Sequence, residues 1–446
     1  MTDYICDLAL IDDRVEEQVL IRVADGRFEH VEPGGQTEPS ATRLRGLTLA
    51  GLANAHSHAF HRALRSRTQA DRGSFWTWRD LMYTAAERLD PDNYHRLARA
   101  TFAEMALAGI TSVGEFHYVH HQPDGTPYQN VNAMGEAVLA AAAEAGIRIT
   151  LLDTVYLHGG LSADGYLPPE GTQRRFSDAT ADDWVGRVEQ LTPGSNQLVG
   201  AAIHSVRAVD PTSMKLVAEW AGHQRVPIHA HVSEQEAEND QCRARHDMTP
   251  TEVLHDAEVL SDRFSAVHAT HLTTHDVELL ATTDSTVCVC PSTEHDLGDG
   301  IGPTTELVTA GVAIALGSDS HAIIDQFEEC RAIELDERVR SRRRGHHCVS
   351  ELLAMATTAG QASLGWPDAG LIRPGQRADL VTITLDSVRT AGVATDVAAA
   401  AAVFAATAAD VTHVIIDGTL IVEDGHHGRV DVTTELHASI HDLMDR

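Results

Sequence analysis

Hydrophobic and polar residues follow two different periods along the chain. Residues 4–48 contain short alternating runs broken by Asp-Asp, Asp-Gly and Pro-Gly-Gly, a pattern typical of small β-strands joined by turns. From about residue 49 to 365, short apolar runs alternate with longer Ala-rich amphipathic stretches, which favours repeated βα units and a parallel sheet. After Gly370 the hydrophobic–polar alternation typical of β-strands returns, and Asp417-Gly418 indicates a hairpin turn.

Eight apolar runs in the middle segment predict eight parallel strands. Eight βα units match a TIM-like (β/α)₈ barrel, although a doubly wound sheet has the same periodicity. We therefore predict a barrel over 49–370 and a small β-sandwich domain built from 1–48 and 371–446. The candidate strands lie near 48–55, 111–116, 147–156, 198–204, 227–232, 264–269, 285–291 and 312–318, and the candidate helices at 92–109, 129–146, 211–224, 325–342 and 397–409.

Composition and charge narrow the classes of function. Apolar residues make up 43% of the chain and charged residues 22%, as in ordinary globular proteins, so disorder is not indicated. The formal charge of −31 repels phosphate backbones and anionic lipids, which argues against nucleic acid and membrane partners. Six cysteines without a CxxC pair, and no signal-type or 18-residue apolar segment, predict a cytoplasmic protein with reduced thiols.

Position selects candidate metal ligands among the 27 histidines. In a β/α barrel, functional side chains gather at the C-terminal ends of the strands. The first predicted strand ends in Asn-Ala-His56-Ser-His58, where residues i and i+2 face the same side and can bind one ion. The fifth ends in His229-Ala-His231-Val-Ser-Glu234, and the spacing alone does not choose between its two histidines.

Two further strand ends complete a possible metal site. The sixth predicted strand ends at His268, and the eighth runs into Ser-Asp319-Ser-His321. Taken singly, each of these groups could be a buried polar residue held by hydrogen bonds. Their occurrence at the ends of strands one, five, six and eight favours a metal site instead. Three neutral imidazoles and one carboxylate suit Zn²⁺ with a position left for water, while Fe²⁺ and Mn²⁺ stay open.

These motifs resemble the amidohydrolase superfamily, and the resemblance covers essentially the whole chain. The segment Gly370-Leu-Ile-Arg-Pro-Gly-Gln-Arg-Ala-Asp-Leu-Val resembles the entry of such enzymes into their β-sandwich. The HxxE motif after strand five is similar to the one-metal branch of adenosine-deaminase-like and chlorohydrolase-like enzymes. That likeness favours His231 over His229. It implies the metal ligands His56, His58, His231 and Asp319, and the catalytic residues Glu234, His268 and Asp319.

Three longer motifs resemble the formimidoylglutamate deiminases of bacterial histidine degradation. They are Ser74-Phe-Trp-Thr-Trp-Arg79-Asp-Leu-Met-Tyr83, Glu115-Phe-His-Tyr118-Val-His-His121 and Ser292-Thr-Glu-His-Asp-Leu-Gly-Asp-Gly300. The resemblance implies zinc-dependent hydrolysis of N-formimidoyl-L-glutamate to N-formyl-L-glutamate and ammonia, and it suggests a homodimer. The implied substrate contacts are His61, Arg79, Tyr118, His204 and Arg207.

One residue departs from that family pattern. The family usually has Gln, assigned to the formimidoyl nitrogen, where this chain has His61. The two arginines, by contrast, suit the substrate, because a guanidinium group matches a carboxylate in a bidentate fork and the glutamyl group carries two carboxylates.

Two other functions are compatible with these motifs. One is another deaminase of the same branch, acting on guanine, adenosine or a pterin-like ring, which needs amide and aromatic partners more than paired arginines. The other is a non-catalytic barrel. The intact ligand set argues against it, since a scaffold without chemistry has little reason to keep costly buried polar groups.

Overall fold

A computed structural model of the chain describes residues 2–35, 41–69, 72–73 and 75–445, so that Ser74 of the aromatic motif lies outside the described residues. The strands in chain order are β1 (Thr2–Ile11), β2 (Arg14–Ala24), β3 (Arg27–Glu32), β4 (Thr42–Ala50), β5 (Leu52–Ser57), β6 (Ile110–His117), β7 (Arg148–Val155), β8 (Gly160–Ser162), β9 (Gly165–Leu167), β10 (Gln197–Ile203), β11 (Ile228–Val232), β12 (Phe264–His268), β13 (Thr286–Val289), β14 (Ala313–Leu316), β15 (Leu380–Ile383), β16 (Val411–Ile416), β17 (Thr419–Glu423) and β18 (His426–His427).

The helices connect and cover these strands. They are α1 (Phe75–Arg88), α2 (Pro91–Leu107), α3 (Ala133–Ala145), α4 (Ala181–Val188), α5 (Pro211–Gln224), α6 (Glu236–His246), α7 (Pro250–Asp256), α8 (Thr274–Thr282), α9 (Pro291–Leu297), α10 (Thr304–Thr309), α11 (Gln326–Ser341), α12 (Val349–Ala354), α13 (Gly360–Ser363), α14 (Ala398–Phe404) and α15 (Val432–Met444). Short 3₁₀ helices span Ala59–Leu64, Gly171–Phe176, Thr395–Val397 and Ala408–Asp410, and a π turn joins α12 to α13. Among the described residues, no helix has the length and apolar character needed to cross a bilayer.

Local sequence signals explain where several of these helices begin. In α5 the carboxylate of Asp210 accepts hydrogen bonds from the backbone N–H groups of Thr212 and Ser213, each at 3.1 Å, and Pro211 occupies the first turn. Both features stabilise a helix start, because they satisfy or remove N–H groups that have no partner within the helix. The helix accordingly matches the predicted span of 211–224.

Eight parallel strands form the barrel, and they pair in chain order from β5 through β6, β7, β10, β11, β12 and β13 to β14. The ring closes where the Asp319 N–H donates to the His56 carbonyl at 3.0 Å and the His58 N–H donates to the Asp319 carbonyl at 3.3 Å. A doubly wound sheet would have a non-sequential strand order and open edges. The prediction of a (β/α)₈ barrel is therefore confirmed.

Burial explains the continuous apolar runs that marked these strands. Every residue of β5, β6 and β7 is buried. Helices cover the outer face of a barrel while side chains fill its interior, so neither face of a strand meets water. Polar residues that are buried in such strands near their C-terminal ends, such as His56 and Glu115, are therefore candidates for chemistry.

Both chain ends build the second sheet, whose strand order is β18-β17-β16-β15-β4-β1-β2-β3. The two ends meet where β4 pairs antiparallel with β15. The first predicted strand, 48–55, is wrong as one element, because the chain changes sheet within it. At Gly51 a Cβ atom would overlap the side chain of Thr111, so only glycine allows this close passage from one sheet to the other.

Candidate active site

Four buried side chains converge where the barrel closes. Nε2 of His56 and Nε2 of His58 each lie 3.3 Å from Oδ1 of Asp319, and Nε2 of His231 lies 3.2 Å from Nε2 of His56. One ligand atom from each residue lies within 4.8 Å of those of the other three. The strands β5 and β11 and the loop after β14 thus bring together the four residues that the sequence suggested as metal ligands.

Hydrogen bonds on the far side of the rings set their tautomers. Nδ1 of His58 donates to the Phe116 carbonyl at 2.9 Å, and Nδ1 of His231 donates to the His204 carbonyl at 2.8 Å. A neutral imidazole that donates through Nδ1 leaves the lone pair of Nε2 free, which is how metal-binding histidines are usually oriented. His229, two residues before His231, instead donates to the Ser363 carbonyl at 3.0 Å and lies outside the group.

Electrostatics also match a metal-binding group. Burial lowers the pKa of His56 to about 3 and that of His231 to about 4, so both rings are neutral at physiological pH. Burial acts to raise the pKa of Asp319, but the hydrogen bond from His56 and the positive charge of His268 help to hold it well below its ordinary value. Neutral imidazoles and an ionised carboxylate are the protonation states that a divalent cation requires.

Glu234 and His268 lie beside this group. Oε1 of Glu234 lies 3.9 Å from Nε2 of His268, whose ring stacks on that of His231 with centroids 5.6 Å apart. On its other side, Nδ1 of His268 lies 3.4 Å from Oε1 of Glu294. Burial acts to lower the pKa of His268, but the carboxylates of Glu234 and Glu294 help to raise it well above its ordinary value. A carboxylate and an imidazole are thus available for proton transfer.

A cavity of about 340 Å³ opens above the four converging residues. Its lining includes side chains from the C-terminal ends of β5, β6, β7, β10, β11 and β12 and from the loop after β14. A larger, more open hollow of about 540 Å³ lies around Arg65 and His295, but none of the converging residues line it. The five substrate contacts suggested by the sequence all line the smaller cavity, namely His61, Arg79, Tyr118, His204 and Arg207.

The two arginines bring positive charge and unsatisfied N–H groups into this cavity. The Nε atoms of Arg79 and Arg207 are buried and have no hydrogen-bond partner in the described part of the chain. Arg79 stacks on Trp76 at 4.4 Å, and Nη2 of Arg207 comes no closer to Glu234 than 4.0 Å. A buried guanidinium group that lacks partners is costly. The arrangement is therefore suited to anionic groups of a ligand.

His61 takes part in the same wall of the cavity. Its Nε2 lies 3.0 Å from the hydroxyl of Tyr118, and its ring lies 4.5 Å from that of His58 and 5.2 Å from that of Trp78. The imidazole is buried and placed next to a candidate metal ligand. It is therefore within reach of the reacting end of a bound molecule, as the glutamine expected at this position would be.

Comparison with known proteins assigns the family. The model of the amidohydrolase family matches residues 47–421, which include every residue of the candidate active site. The chain belongs to the amidohydrolase family. With the converging His and Asp residues, this membership confirms the prediction of a metal-dependent hydrolase that acts on C–N bonds, and it removes the non-catalytic barrel from consideration.

Several amidohydrolases are similar over their whole length. A formimidoylglutamate deiminase from Pseudomonas aeruginosa is 34% identical over 440 residues, with 96% of each chain covered. An 8-oxoguanine deaminase from the same organism is 30% identical over 418 residues, covering 90% of this chain and 89% of that one. The crystal structure of an amidohydrolase from Brucella melitensis has a TM-score of 0.90 at 31% identity over all of both chains. An adenosine deaminase from Xanthomonas campestris with bound zinc shares the fold at a TM-score of 0.84 and 23% identity, covering 100% and 98%.

The amidohydrolase cavity also contains residues that the sequence did not single out. Tyr83, Tyr156 and Gln173 line it together, and Glu294 contacts His268 from outside. Tyr83 and Glu294 lie within two of the three longer motifs of the sequence, which therefore pointed to their surroundings. Gln173 carried none, because it lies in the short 3₁₀ helix Gly171–Phe176 between the hairpin β8–β9 and α4 and reaches the cavity only through folding.

A second polar group lies behind β6 and β7 and includes His117, His120 and Asp153. Asp153 is already held by Arg187, whose Nη1 and Nη2 donate to its two oxygens at 3.0 and 2.7 Å. Nε1 of Trp184 donates to the same carboxylate at 2.9 Å. The buried positive charge of Arg187 opposes a cation at this place. Arg187 also binds Asp178, whose Oδ1 lies 3.0 Å from Nε2 of His121, so the network holds the segment that carries Tyr118.

Proposed function

We propose that this amidohydrolase converts N-formimidoyl-L-glutamate and water to N-formyl-L-glutamate and ammonia. In that reaction the C–N bond to the terminal nitrogen of the formimidoyl group breaks, and water supplies the new carbonyl oxygen. The observation that carries the proposal is the pair of arginines, Arg79 and Arg207, in the cavity above the metal-binding group, whose buried Nε atoms have no hydrogen-bond partner among the described residues. The similarity to the Pseudomonas aeruginosa formimidoylglutamate deiminase supports it.

The charge of the cavity favours this substrate over a purine. The 8-oxoguanine deaminase relative makes a ring substrate the main alternative. A neutral ring would supply no anionic partner to Arg79, and it would leave Arg207 with only the carboxylate of Glu234 at 4.0 Å, which is unfavourable in a partly dehydrated site. A glutamyl group supplies two carboxylates, and a carboxylate can accept two parallel hydrogen bonds from one guanidinium group. A small dicarboxylate is therefore the better match.

The metal that we propose is one zinc ion per chain, held by His56, His58, His231 and Asp319. The donor set of three imidazoles and one carboxylate supports zinc, as does the bound zinc of the Xanthomonas campestris adenosine deaminase. When bound, such a metal supplies a hydrolytic water whose pKa is about 7 instead of about 15.7. The burial of all four residues keeps competing solvent from the site.

Protein side chains carry the protons of the reaction. Asp319 accepts the proton released by the water, and Glu234 delivers a proton to the departing nitrogen. His268, 3.9 Å from Glu234, stabilises the charge that develops on the oxygen bound to the tetrahedral carbon. His204 and Tyr118 border the same space, and His61 faces the formimidoyl group in place of the usual glutamine.

A substrate panel tests the proposed function. The zinc-loaded enzyme is incubated with formimidoylglutamate, 8-oxoguanine, guanine, adenosine and cytosine, and released ammonia is measured. We expect rapid release from formimidoylglutamate and little from the rings. Preferential release from any of the ring substrates would overturn the assignment and favour the ring deaminases.

Replacing Glu234 by glutamine should lower turnover about a hundredfold or more while the metal stays bound. Glutamine keeps the size of the side chain but cannot shuttle a proton, and Glu234 is not one of the four converging residues. Steady-state ammonia release and metal analysis of the same preparation provide the check. Turnover near that of the wild type would show that Glu234 is not the proton carrier.

We also propose a setting for this activity, namely histidine degradation in the cytoplasm. Five of the six cysteines are buried and all six are free thiols, which is compatible with a reducing compartment. The homodimer suggested by the family resemblance stays a prediction, and size-exclusion chromatography with light scattering would test it.

A further inference from the structure

Gln173 has a side-chain amide whose orientation is fixed by the backbone. Its Oε1 accepts a hydrogen bond from the Glu170 N–H at 3.1 Å, and its Nε2 donates to the Gly159 carbonyl at 3.0 Å. A flipped amide would place oxygen against oxygen and N–H against N–H, so only one orientation satisfies both contacts. The Nε2 group is therefore a donor toward the cavity.

Two tyrosine hydroxyls meet this donor. Nε2 of Gln173 lies 3.1 Å from the hydroxyl of Tyr156 and 3.3 Å from that of Tyr83. Nε2 carries two hydrogens, and one of them points to the Gly159 carbonyl, so the two phenol oxygens share the other. Neither oxygen can donate to this N–H group, and each hydroxyl must direct its own hydrogen elsewhere. In the described part of the chain, neither hydroxyl donates to an acceptor within hydrogen-bond distance. Both tyrosines line the active-site cavity, where a ligand can accept these hydrogens.

Tyr156 is a neutral donor beside two positive charges. Burial raises the pKa of Tyr156 above its ordinary value, although the charges of Arg207 and Arg79 act in the opposite direction. The guanidinium carbon of Arg79 lies 5.6 Å from the ring centroid of Tyr83. A tyrosine hydroxyl beside a guanidinium group can donate a hydrogen bond to an anion that the arginine attracts.

Among the described rings, that of Tyr156 approaches the metal-binding group through His204. The ring of His204 stands between, with its centroid 5.2 Å from that of His231 and 4.7 Å from that of Tyr156. Tyr83, for its part, packs on Phe176 at 6.1 Å. A substrate that reacts at the metal-binding group would therefore reach Tyr156 and Tyr83 with its opposite end.

We propose that the hydroxyls of Tyr83 and Tyr156, aligned by Gln173, bind the side-chain carboxylate of the substrate and select a glutamyl group over shorter chains. This inference rests on the proposed function. It adds two uncharged donors to the arginine pair and explains why Gln173 is held from both ends. The chemistry recognised is a carboxylate separated from the reacting nitrogen by the length of a glutamyl side chain.

The double variant Tyr83→Phe/Tyr156→Phe tests this inference, because it removes both hydroxyls and keeps both rings. Loss of one hydrogen bond to a charged group should lower kcat/KM about tenfold. We expect kcat/KM to fall about a hundredfold for N-formimidoyl-L-glutamate and less than about threefold for N-formimidoylglycine, which has no side-chain carboxylate. The preference for the glutamyl over the aspartyl substrate should shrink as well.

Two further variants sharpen the result. Gln173→Glu replaces the donor by an acceptor that captures both phenol hydrogens, so it should lower the glutamyl-to-glycyl ratio with both tyrosines intact. Tyr4→Phe is the matched control, since it removes a buried hydroxyl bonded to the Gly418 carbonyl in the accessory sheet. It should leave the ratio unchanged. An equal loss on both substrates in the double variant, or no loss, would overturn the inference.

A binding measurement separates this inference from the proposed function. Calorimetry compares glutarate, a five-carbon dicarboxylate, with butyrate in the wild-type and double-variant enzymes. Loss of the glutarate preference in the double variant supports the carboxylate site even if the wild type releases no ammonia from formimidoylglutamate, in which case only the proposed function fails. Efficient deimination by the wild type with an unchanged glutarate preference in the double variant would overturn this inference alone.

Discussion

Replacing Asp319 by asparagine should leave the purified enzyme with little bound metal and almost no activity. Asp319 provides the only carboxylate among the four converging residues in the described structure, and both His56 and His58 lie 3.3 Å from it. Mutation of residues that only hydrogen-bond to metal ligands already lowers metal affinity about 10–100-fold. Loss of a ligand itself should lower the affinity further. Asparagine is preferable to alanine because Asp319 has a φ of 38°, which asparagine tolerates.

A matched pair of histidines controls for the effect of altering a buried residue. His231→Gln should lose metal as His56→Ala does, whereas His229→Gln, two residues earlier on β11, should keep it. His229 lies outside the metal-binding group and donates to the Ser363 carbonyl. Metal per chain is measured by mass spectrometry on the folded fraction, beside ammonia release. Full occupancy in the Asp319 and His56 variants would contradict the ligand assignment.

Replacing Arg207 by alanine should lower kcat/KM for formimidoylglutamate by about 30- to 5,000-fold. An anionic group left without its cation in a partly dehydrated pocket costs about 2–5 kcal/mol. Arg79→Ala should have an effect of the same kind, since its Nε is likewise buried without a partner among the described residues. Because the arginines also position the reacting carbon, kcat should fall as KM rises.

Three comparisons decide whether the arginines act as carboxylate clamps. Arg207→Lys should recover little, since a point charge does not reproduce the planar fork. His61→Gln should be tolerated far better than Arg207→Ala, because it restores the residue usual in the family. Formimidoylglycine should show a much smaller loss than formimidoylglutamate. Alanine variants that keep the wild-type discrimination between these substrates would remove the physical support for a glutamyl substrate.

The linear order of residues was enough to place the barrel strands and the candidate ligands upon them. Continuous apolar runs predicted buried parallel strands, and the structure places a strand within or near each predicted range. The HxH spacing predicted that His56 and His58 share one face, because side chains alternate along a strand with a period of two. These properties depend on neighbours within a few residues, which a sequence records directly.

Depth along a strand and contacts between distant segments were decided by the tertiary structure. The period of two gave His229 and His231 the same face but did not say which lies at the barrel mouth. Asp319 reaches His56 only because the ring of eight strands closes between β14 and β5. Gln173, Tyr83 and Tyr156 come from three separate segments and meet only in the folded chain. Such contacts depend on how whole elements pack, and no local spacing in the sequence encodes that distance.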